Sequence, residues 1–349
     1  MEIIKVGMAA FGMSGKVFHA PFITANPNFE LTKIVERSKD LSKEFYPKVR
    51  IVKSFDELLT DPEIELIIVN TPDSTHYEYT KQALNAGKHV IVEKPFTTTV
   101  SQAEELVSLA REKALTLSVY QNRRWDADFL TVQHIIKKGL LGRLVEYEST
   151  FQRYRNFIKP GTWKESGEAG GGLTYNLGSH LIDQALVLFG KPEAIYAETA
   201  IMRDGGKVDD YFLIRLIYPQ IKVNLKASYL MREPLPRFIL HGTLGSYVKY
   251  GTDKQEEALT AGEKPDSPHW GEETEEEWGI INTEIEEKVF RGKYPSLTGN
   301  YAGFYQNVYE HIRKDTPLLT DAQDIIEVIK VIEAAYKSQQ TRSVITLKN

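Results

Sequence analysis

The sequence predicts two domains in one chain. An α/β domain built on a parallel sheet comes first, and an α+β domain with antiparallel strands follows. Three observations lead there. The chain has 349 residues, enough for two domains at about 100–200 residues each. In its first third, short apolar runs alternate with longer amphipathic stretches. After about residue 122 the runs lengthen, and several alternate apolar and polar side chains. The domains are therefore placed at 1–122 and 123–349.

The apolar runs of the first domain are 3–8, 31–35, 66–70, 89–92 and 115–119. Helical patterns lie between them at 55–59, 75–86 and 101–114. Ser54-x-x-Glu57 and Ser101-x-x-Glu104 open two of these as capping boxes, in which the Ser oxygen and the Glu carboxylate take up orphan N–H groups. Strands separated by helices read as βαβ units. In the second domain a helix is expected over 126–138, ended by Gly139. Strands are expected at 144–151, 194–201, 211–218, 222–229, 237–241 and 246–250, with the alternation of half-buried antiparallel strands. Helices are expected at 177–189, 303–313 and 321–338, the last led by Thr320-x-x-Gln323. Five glutamates between Glu272 and Glu277 read as a solvated loop.

Composition excludes several classes. Charged residues are 26% and hydrophobic ones 42%, which fits a folded globular chain. The net charge of −5 does not suit a nucleic-acid binder. No cysteine is present, so disulfides, thiolate metal sites and thiol nucleophiles are ruled out. No 18-residue apolar run marks a membrane span, and the first residues lack the order of a secretory signal, so the expected location is cytoplasmic. His19, His76, His89, His134, His241, His269 and His311 form no ligand spacing, and no metal is expected.

The segment from Gly7 through Ala10, Phe11, Gly12, Met13 and Ser14 to Gly15 follows the first predicted strand. It matches a dinucleotide loop with Ala10 at the first fingerprint position. Gly12 would let the backbone approach a pyrophosphate, and Gly15 would let helix and strand pack closely. The second strand ends in Glu36-Arg37-Ser38. An acid there favours the ribose hydroxyl of NAD, whereas Arg37 and Ser38 suit the 2′-phosphate of NADP. Glu93-Lys94-Pro95 ends a buried-type strand at the sheet edge where ligands bind, and Pro95 is a candidate cis proline. Further on, Asn176, His180 and Asp183 have the spacing of one helix face, and His180 has the titration range of a general base.

These residues carry a family resemblance over essentially the whole chain. The marks are Gly12-x-x-Gly15, Thr71-Pro72-Asp-Ser-Thr-His76, Ala86-Gly87-Lys88-His89-Val90, Glu93-Lys94-Pro95 and the Gly171–Asp183 stretch. The chain resembles the glucose–fructose oxidoreductase, inositol dehydrogenase and rhizopine catabolism (Gfo/Idh/MocA) family. Asn122-Arg123-Arg124-Trp125-Asp126 and the 241–250 segment are further similar to the branch that holds NADP-dependent scyllo-inositol dehydrogenase. The resemblance implies an N-terminal Rossmann domain with a parallel sheet. It also implies a C-terminal α/β domain with a large open, mostly antiparallel sheet, through which many members form homodimers or homotetramers. It implies an NAD(P)-dependent dehydrogenase acting on a CH–OH group of a small sugar or inositol-like polyol. Lys94 resembles the family's catalytic Lys and His180 its proton-transfer residue. Thr71, Pro72 and His76 resemble the segment near the nicotinamide, with Glu93 also toward the cofactor. Asn122, Arg123, Trp163, Tyr175, Asn176 and Asp183 are the implied substrate contacts. The family pattern has Asp where this chain has Asn176, which leaves His180 less basic. NADP is the expected cofactor, with NAD the alternative. The other activities in view are an NAD-dependent glycoside hydrolase with transient internal hydride transfer and a non-catalytic nucleotide sensor.

Overall fold

The computed structural model describes residues 2–167 and 170–347. Packing divides the chain into two units. The first holds Met1–Asn122, Gln255–Trp270 and Asn300–Ile326, and the second holds Arg123–Lys254, Gly271–Gly299 and Glu327–Asn349. The first cut falls after Asn122, where the hydrophobic pattern changes.

Among the described residues, the first unit carries six strands: β1 (Ile4–Met8), β2 (Phe29–Val35), β3 (Arg50–Val52), β4 (Leu66–Val69), β5 (His89–Glu93) and β6 (Leu117–Tyr120). They pair in parallel in the order β3-β2-β1-β4-β5-β6. That is the doubly wound dinucleotide-binding order, and its switch point lies between β1 and β4. The interior strand β4, Leu-Ile-Ile-Val, is continuously apolar because both its faces are covered, and all four of its residues are buried. The helices here are α1 (Ala20–Ala25), α2 (Ser42–Phe45), α3 (Asp56–Leu59), α4 (His76–Asn85) and α5 (Val100–Glu112). The caps differ in part from the sequence reading. Glu57 accepts from the Ser54 N–H as expected. For α5, however, Thr99 is the cap and accepts from the Gln102 N–H, so the helix starts ahead of Ser101.

The second unit contains α6 (Ala127–Lys137) and α7 (Ser179–Phe189). Its sheet comprises β7 (Leu144–Gln152), β8 (Ala194–Ala200), β9 (Tyr211–Ile217), β10 (Lys222–Ser228), β11 (Phe238–Gly242), β12 (Gly245–Lys249), β13 (Gly279–Ile285), β14 (Lys288–Tyr294) and β15 (Ile345–Thr346). The order is β14-β13-β12-β11-β7-β10-β9-β8-β15. Every pairing is antiparallel except β7 with β10. One face buries Phe212, Ile214, Val223, Leu225, Phe238 and Tyr247. The other leaves Leu213, Ile217, Ile239, Val248 and Ile280 half-buried.

Three helices remain: α8 (Gln255–Ala261) and α9 (Ala302–Lys314) in the first unit, and α10 (Ala322–Thr341), which runs from the first unit into the second. Thr320 does not cap α10. Its hydroxyl meets that of Ser118 at 2.8 Å, and the carboxylate of Asp321 takes the Gln323 N–H instead. The glutamate run is not uniformly solvated. Glu273 is buried against Lys249 at 3.0 Å, and Glu277 closes a capping box with Thr274. Among the described residues no helix is long and apolar enough to cross a membrane.

Candidate functional site

In the first unit the site is built on the carboxyl edge of the parallel sheet. The loop after β1 leads into a π-helical turn, Gly15–His19, that continues as α1. A Cβ on Gly15 would lie 2.8 Å from both the Ala10 carbonyl oxygen and the Asn70 amide nitrogen, so only glycine fits. A Cβ on Gly12 would meet no atom within 4 Å, so its backbone faces open space. The loop is clamped at Ala10, where sequence alone would ask for glycine. Asn70, just past β4, accepts from the Ala10 N–H at 3.0 Å and donates to its carbonyl at 2.9 Å. A close-packed turn with an open backbone at Gly12 fits a bound dinucleotide phosphate. Gly7 packs against Leu58 and Ile64. Phe11 is buried beside the Phe45 and Tyr46 rings. Met13 is exposed.

Glu36 and Arg37 take different parts. Glu36 is buried, and its two oxygens accept the Leu41 and Ser42 N–H groups at 2.9 Å each. It holds the turn into α2 rather than standing open to a ribose. Arg37 and Ser38 are exposed. The Arg37 guanidinium donates to the Tyr79 hydroxyl at 2.7 Å, and the Tyr79 ring stacks on Phe55 at 4.5 Å.

Thr71 is half-buried and Pro72 exposed, but His76 is wholly buried and donates from Nε2 to the Thr71 carbonyl at 2.9 Å. His76 thus braces this loop through Nε2, while its Nδ1 is buried without a hydrogen-bond partner. At the end of β5 the Lys94–Pro95 peptide is cis, and the Phe96 N–H bonds the Glu93 carbonyl across the turn. Phe96 follows with φ at 98°, an unfavourable region for a side chain of that size. Glu93 is buried and accepts from Nε2 of His19 at 2.9 Å. Burial pushes its carboxyl up, but His19, and Lys94 after it, outweigh that and hold it down to about 2. Lys94 itself is half-buried. Asn122 is buried in a 3-10 turn, Asn122–Trp125. Just before it, Gln121 is fully buried with neither amide atom hydrogen-bonded.

In the second unit a second π-helical turn, Thr174–Gly178, leads into α7. Asp209 anchors its start, accepting from both the N–H and the hydroxyl of Thr174 at 2.7 Å. The turn packs on β9 and β10, and α7 packs on β10. His180 is the second residue of α7 and is buried. Asn176 lies in the wide turn, and its amide donates to the Tyr229 hydroxyl at 3.4 Å. Asp183 takes a different partner from the one its spacing implied. Its two oxygens accept from Arg124, Nε at 2.8 Å and Nη2 at 2.6 Å. It ties α7 to the Arg124 segment. Arg123 bonds Asp126 at 3.2 Å and lies over the Phe151 ring. Tyr175 stacks on Tyr336 at 5.8 Å, and burial pushes its hydroxyl up to about 12. Trp163 lies in a short 3-10 turn, Trp163–Glu165, and its side chain is outside the described residues.

Two sequence profiles match this chain. One is described as the oxidoreductase family's NAD-binding Rossmann fold and covers residues 4–121. The other is that family's C-terminal alpha/beta domain, over residues 133–347. The chain belongs to the Gfo/Idh/MocA oxidoreductase family. Scyllo-inositol 2-dehydrogenase (NADP(+)) IolW from Bacillus subtilis is 38% identical over 100% of this chain and 97% of its own. A solved oxidoreductase structure from Bacteroides fragilis is 65% identical, with a TM-score of 0.92, covering 99% of this chain and 100% of that one. The solved structure of YvaA from Bacillus subtilis is 38% identical, with a TM-score of 0.96 and 99% of each chain covered. As a family member the chain has an NAD-binding Rossmann domain, and its expected fold class stands.

Proposed function

We propose that this oxidoreductase is an NADP-dependent dehydrogenase that interconverts a secondary alcohol and a ketone on a sugar or inositol-like polyol. The similarity to IolW over the whole chain, with Lys94 and His180 in place, carries the reading. His180 takes the proton of the substrate hydroxyl. The Lys94 ammonium stabilises the negative charge that develops on that oxygen. The nicotinamide, when bound, supplies the hydride acceptor. Gly12, Gly15 and the Ala10–Asn70 clamp hold the phosphate-binding loop in shape.

The NADP preference is supported by the Glu36–Arg37 pair. The Glu36 carboxylate is occupied by two backbone N–H groups, and Arg37 is exposed and braced by Tyr79. A guanidinium there suits a 2′-phosphate. The half-buried apolar side chains on the second face of the large sheet support a homodimer or homotetramer. Asn176 favours one other reading, a nucleotide sensor without turnover, because an amide cannot supply the charge that raises a His.

The test is a spectrophotometric screen of purified protein with NADP+ or NAD+ against inositols, aldoses and sugar acids. Reduction of NADP+ by a narrow set of polyols is expected. Cofactor binding without reduction by any compound would replace this reading with the sensor.

A further inference from the structure

We propose that Tyr229 is the positioning residue that orients the Asn176 amide, and that Arg203 holds the Tyr229 ring in place for it. This rests on the dehydrogenase reading above, in which Asn176 stands one turn ahead of the proton-transfer residue His180. All four residues lie in the second unit.

Asn176 is half-buried in the π-helical turn, and its amide nitrogen donates to the Tyr229 hydroxyl at 3.4 Å. An amide has two unlike ends, an NH2 donor and a carbonyl acceptor. A carboxylate at this position would present an acceptor in either rotation. An amide presents it in only one of the two, so something must select that rotation. The Tyr229 hydroxyl takes the NH2 end and thereby turns the carbonyl end away from itself. It does for the amide what symmetry does for a carboxylate.

Tyr229 itself has little freedom. It directly follows β10 and is buried. Its N–H donates to the Asp210 carbonyl at 3.0 Å, and its own carbonyl accepts the Arg155 N–H at 2.7 Å. The Arg203 guanidinium lies over its ring, 4.7 Å from the centroid. That guanidinium is buried and gripped on three sides. Nε donates to the Asp210 carboxylate at 2.8 Å and Nη1 to the Phe157 carbonyl at 2.7 Å, while the Glu165 carboxylate stands 3.3 Å from Nη2. Asp210 is wholly buried and is fixed in turn by the Met202 and Arg203 N–H groups, at 2.7 and 3.0 Å. A cation fixed over an aromatic face holds the plane of the ring. Backbone bonds therefore set where the tyrosine starts, and Arg203 sets how its ring is turned. The hydroxyl at the far end is delivered to Asn176.

Tyr229→Phe keeps the ring under Arg203 and removes only the hydroxyl. Two double-mutant cycles with Asn176→Ala, both on the full-length protein, test the pair. Chemical denaturation reads the contact and needs no turnover. Tyr229→Phe is expected to lower the midpoint in wild type and to lower it clearly less in Asn176→Ala; equal shifts overturn the proposal. The second cycle follows kcat/KM on the polyol found in the screen. Tyr229→Phe is expected to lower it about threefold to tenfold in wild type, the worth of one neutral hydrogen bond, and by less than about twofold in Asn176→Ala. A tyrosine that only supports the fold would cost the same in both backgrounds, and that result overturns the proposal. Arg203→Lys keeps a charge but not the fork. It is expected to lower kcat/KM in wild type and to add less than about twofold to Tyr229→Phe; an equal loss in both overturns the part given to Arg203. If the denaturation cycle couples while no compound reduces either cofactor, the contact stands and the dehydrogenase reading falls.

Discussion

Arg124 grips Asp183 with two hydrogen bonds, at 2.8 and 2.6 Å, and both side chains are largely buried. The pair joins the turn at Asn122–Trp125 to α7, the helix that carries His180. Removing one partner strands the other's charge. Arg124→Ala is expected to cost about 3–5 kcal/mol. Chemical denaturation checks it. Arg124→Lys should restore only part, because an ammonium cannot make the fork.

The two glycines of the dinucleotide loop should separate stability from binding. At Gly15 an added methyl meets Ala10, Asn70 and Met8 within 2.9 Å. Gly15→Ala is expected to cost about 1–3 kcal/mol and to weaken cofactor binding. At Gly12 nothing stands within 4 Å. Gly12→Ala is expected to leave the melting temperature almost unchanged while NADPH affinity falls at least tenfold, as read by fluorescence titration.

Arg37→Ala is expected to weaken NADPH binding tenfold or more and to leave NADH binding within about twofold. The lost term is a charge-assisted contact of about 1.5–3 kcal/mol. An equal loss for both cofactors would contradict the assignment of Arg37.

Glu93 predicts an acid-sensitive fold. Its carboxyl is depressed from 4.5 to about 2 in the folded chain. A depressed acid stabilises the fold above its unfolded value, and that contribution disappears as pH falls through the folded value. The window is therefore about pH 4.5 down to 2. Each unit is worth 1.36 kcal/mol, so the loss is about 3 kcal/mol. Denaturation midpoints across that range, compared with Glu93→Gln, should show the slope in wild type and a flatter curve in the variant.

Asn176→Asp adds a negative charge one turn ahead of His180. The basic form of the imidazole should then titrate about one unit higher. The acidic limb of the kcat/KM profile is expected to move up accordingly. An unmoved limb would separate residue 176 from proton transfer.

The periodic parts of this fold were legible in the residues. The βαβ alternation and α7 follow from hydrophobic spacing, whereas α1 was marked only by the glycine loop ahead of it. The β13–β14 hairpin was not. Its two-residue turn is Glu286-Glu287, both at positive φ, where Asn or Gly would have announced it. In the site, Lys94 and His180 could be named from local motifs. Their supports could not. Asn70 meets Ala10 across 60 residues, His19 meets Glu93 across 74, and Arg124 meets Asp183 across 59. Nothing local marks such pairs. The same holds at Glu36: its position at a strand end suggests a ribose, and nothing local marks the turn five and six residues on whose N–H groups its carboxylate accepts.

Both motif-bearing helices open on a π-helical turn, Gly15–His19 ahead of α1 and Thr174–Gly178 ahead of α7. Such a turn carries one residue more than an α turn. Deleting that residue leaves a regular helix downstream, yet swings everything upstream by about 100° around the axis. Asn176 would then leave the side of the helix it now occupies, although no amino acid near His180 had changed. Relatives aligned with a one-residue gap across 174–178 should therefore be treated as a separate specificity class, however well their other motifs agree.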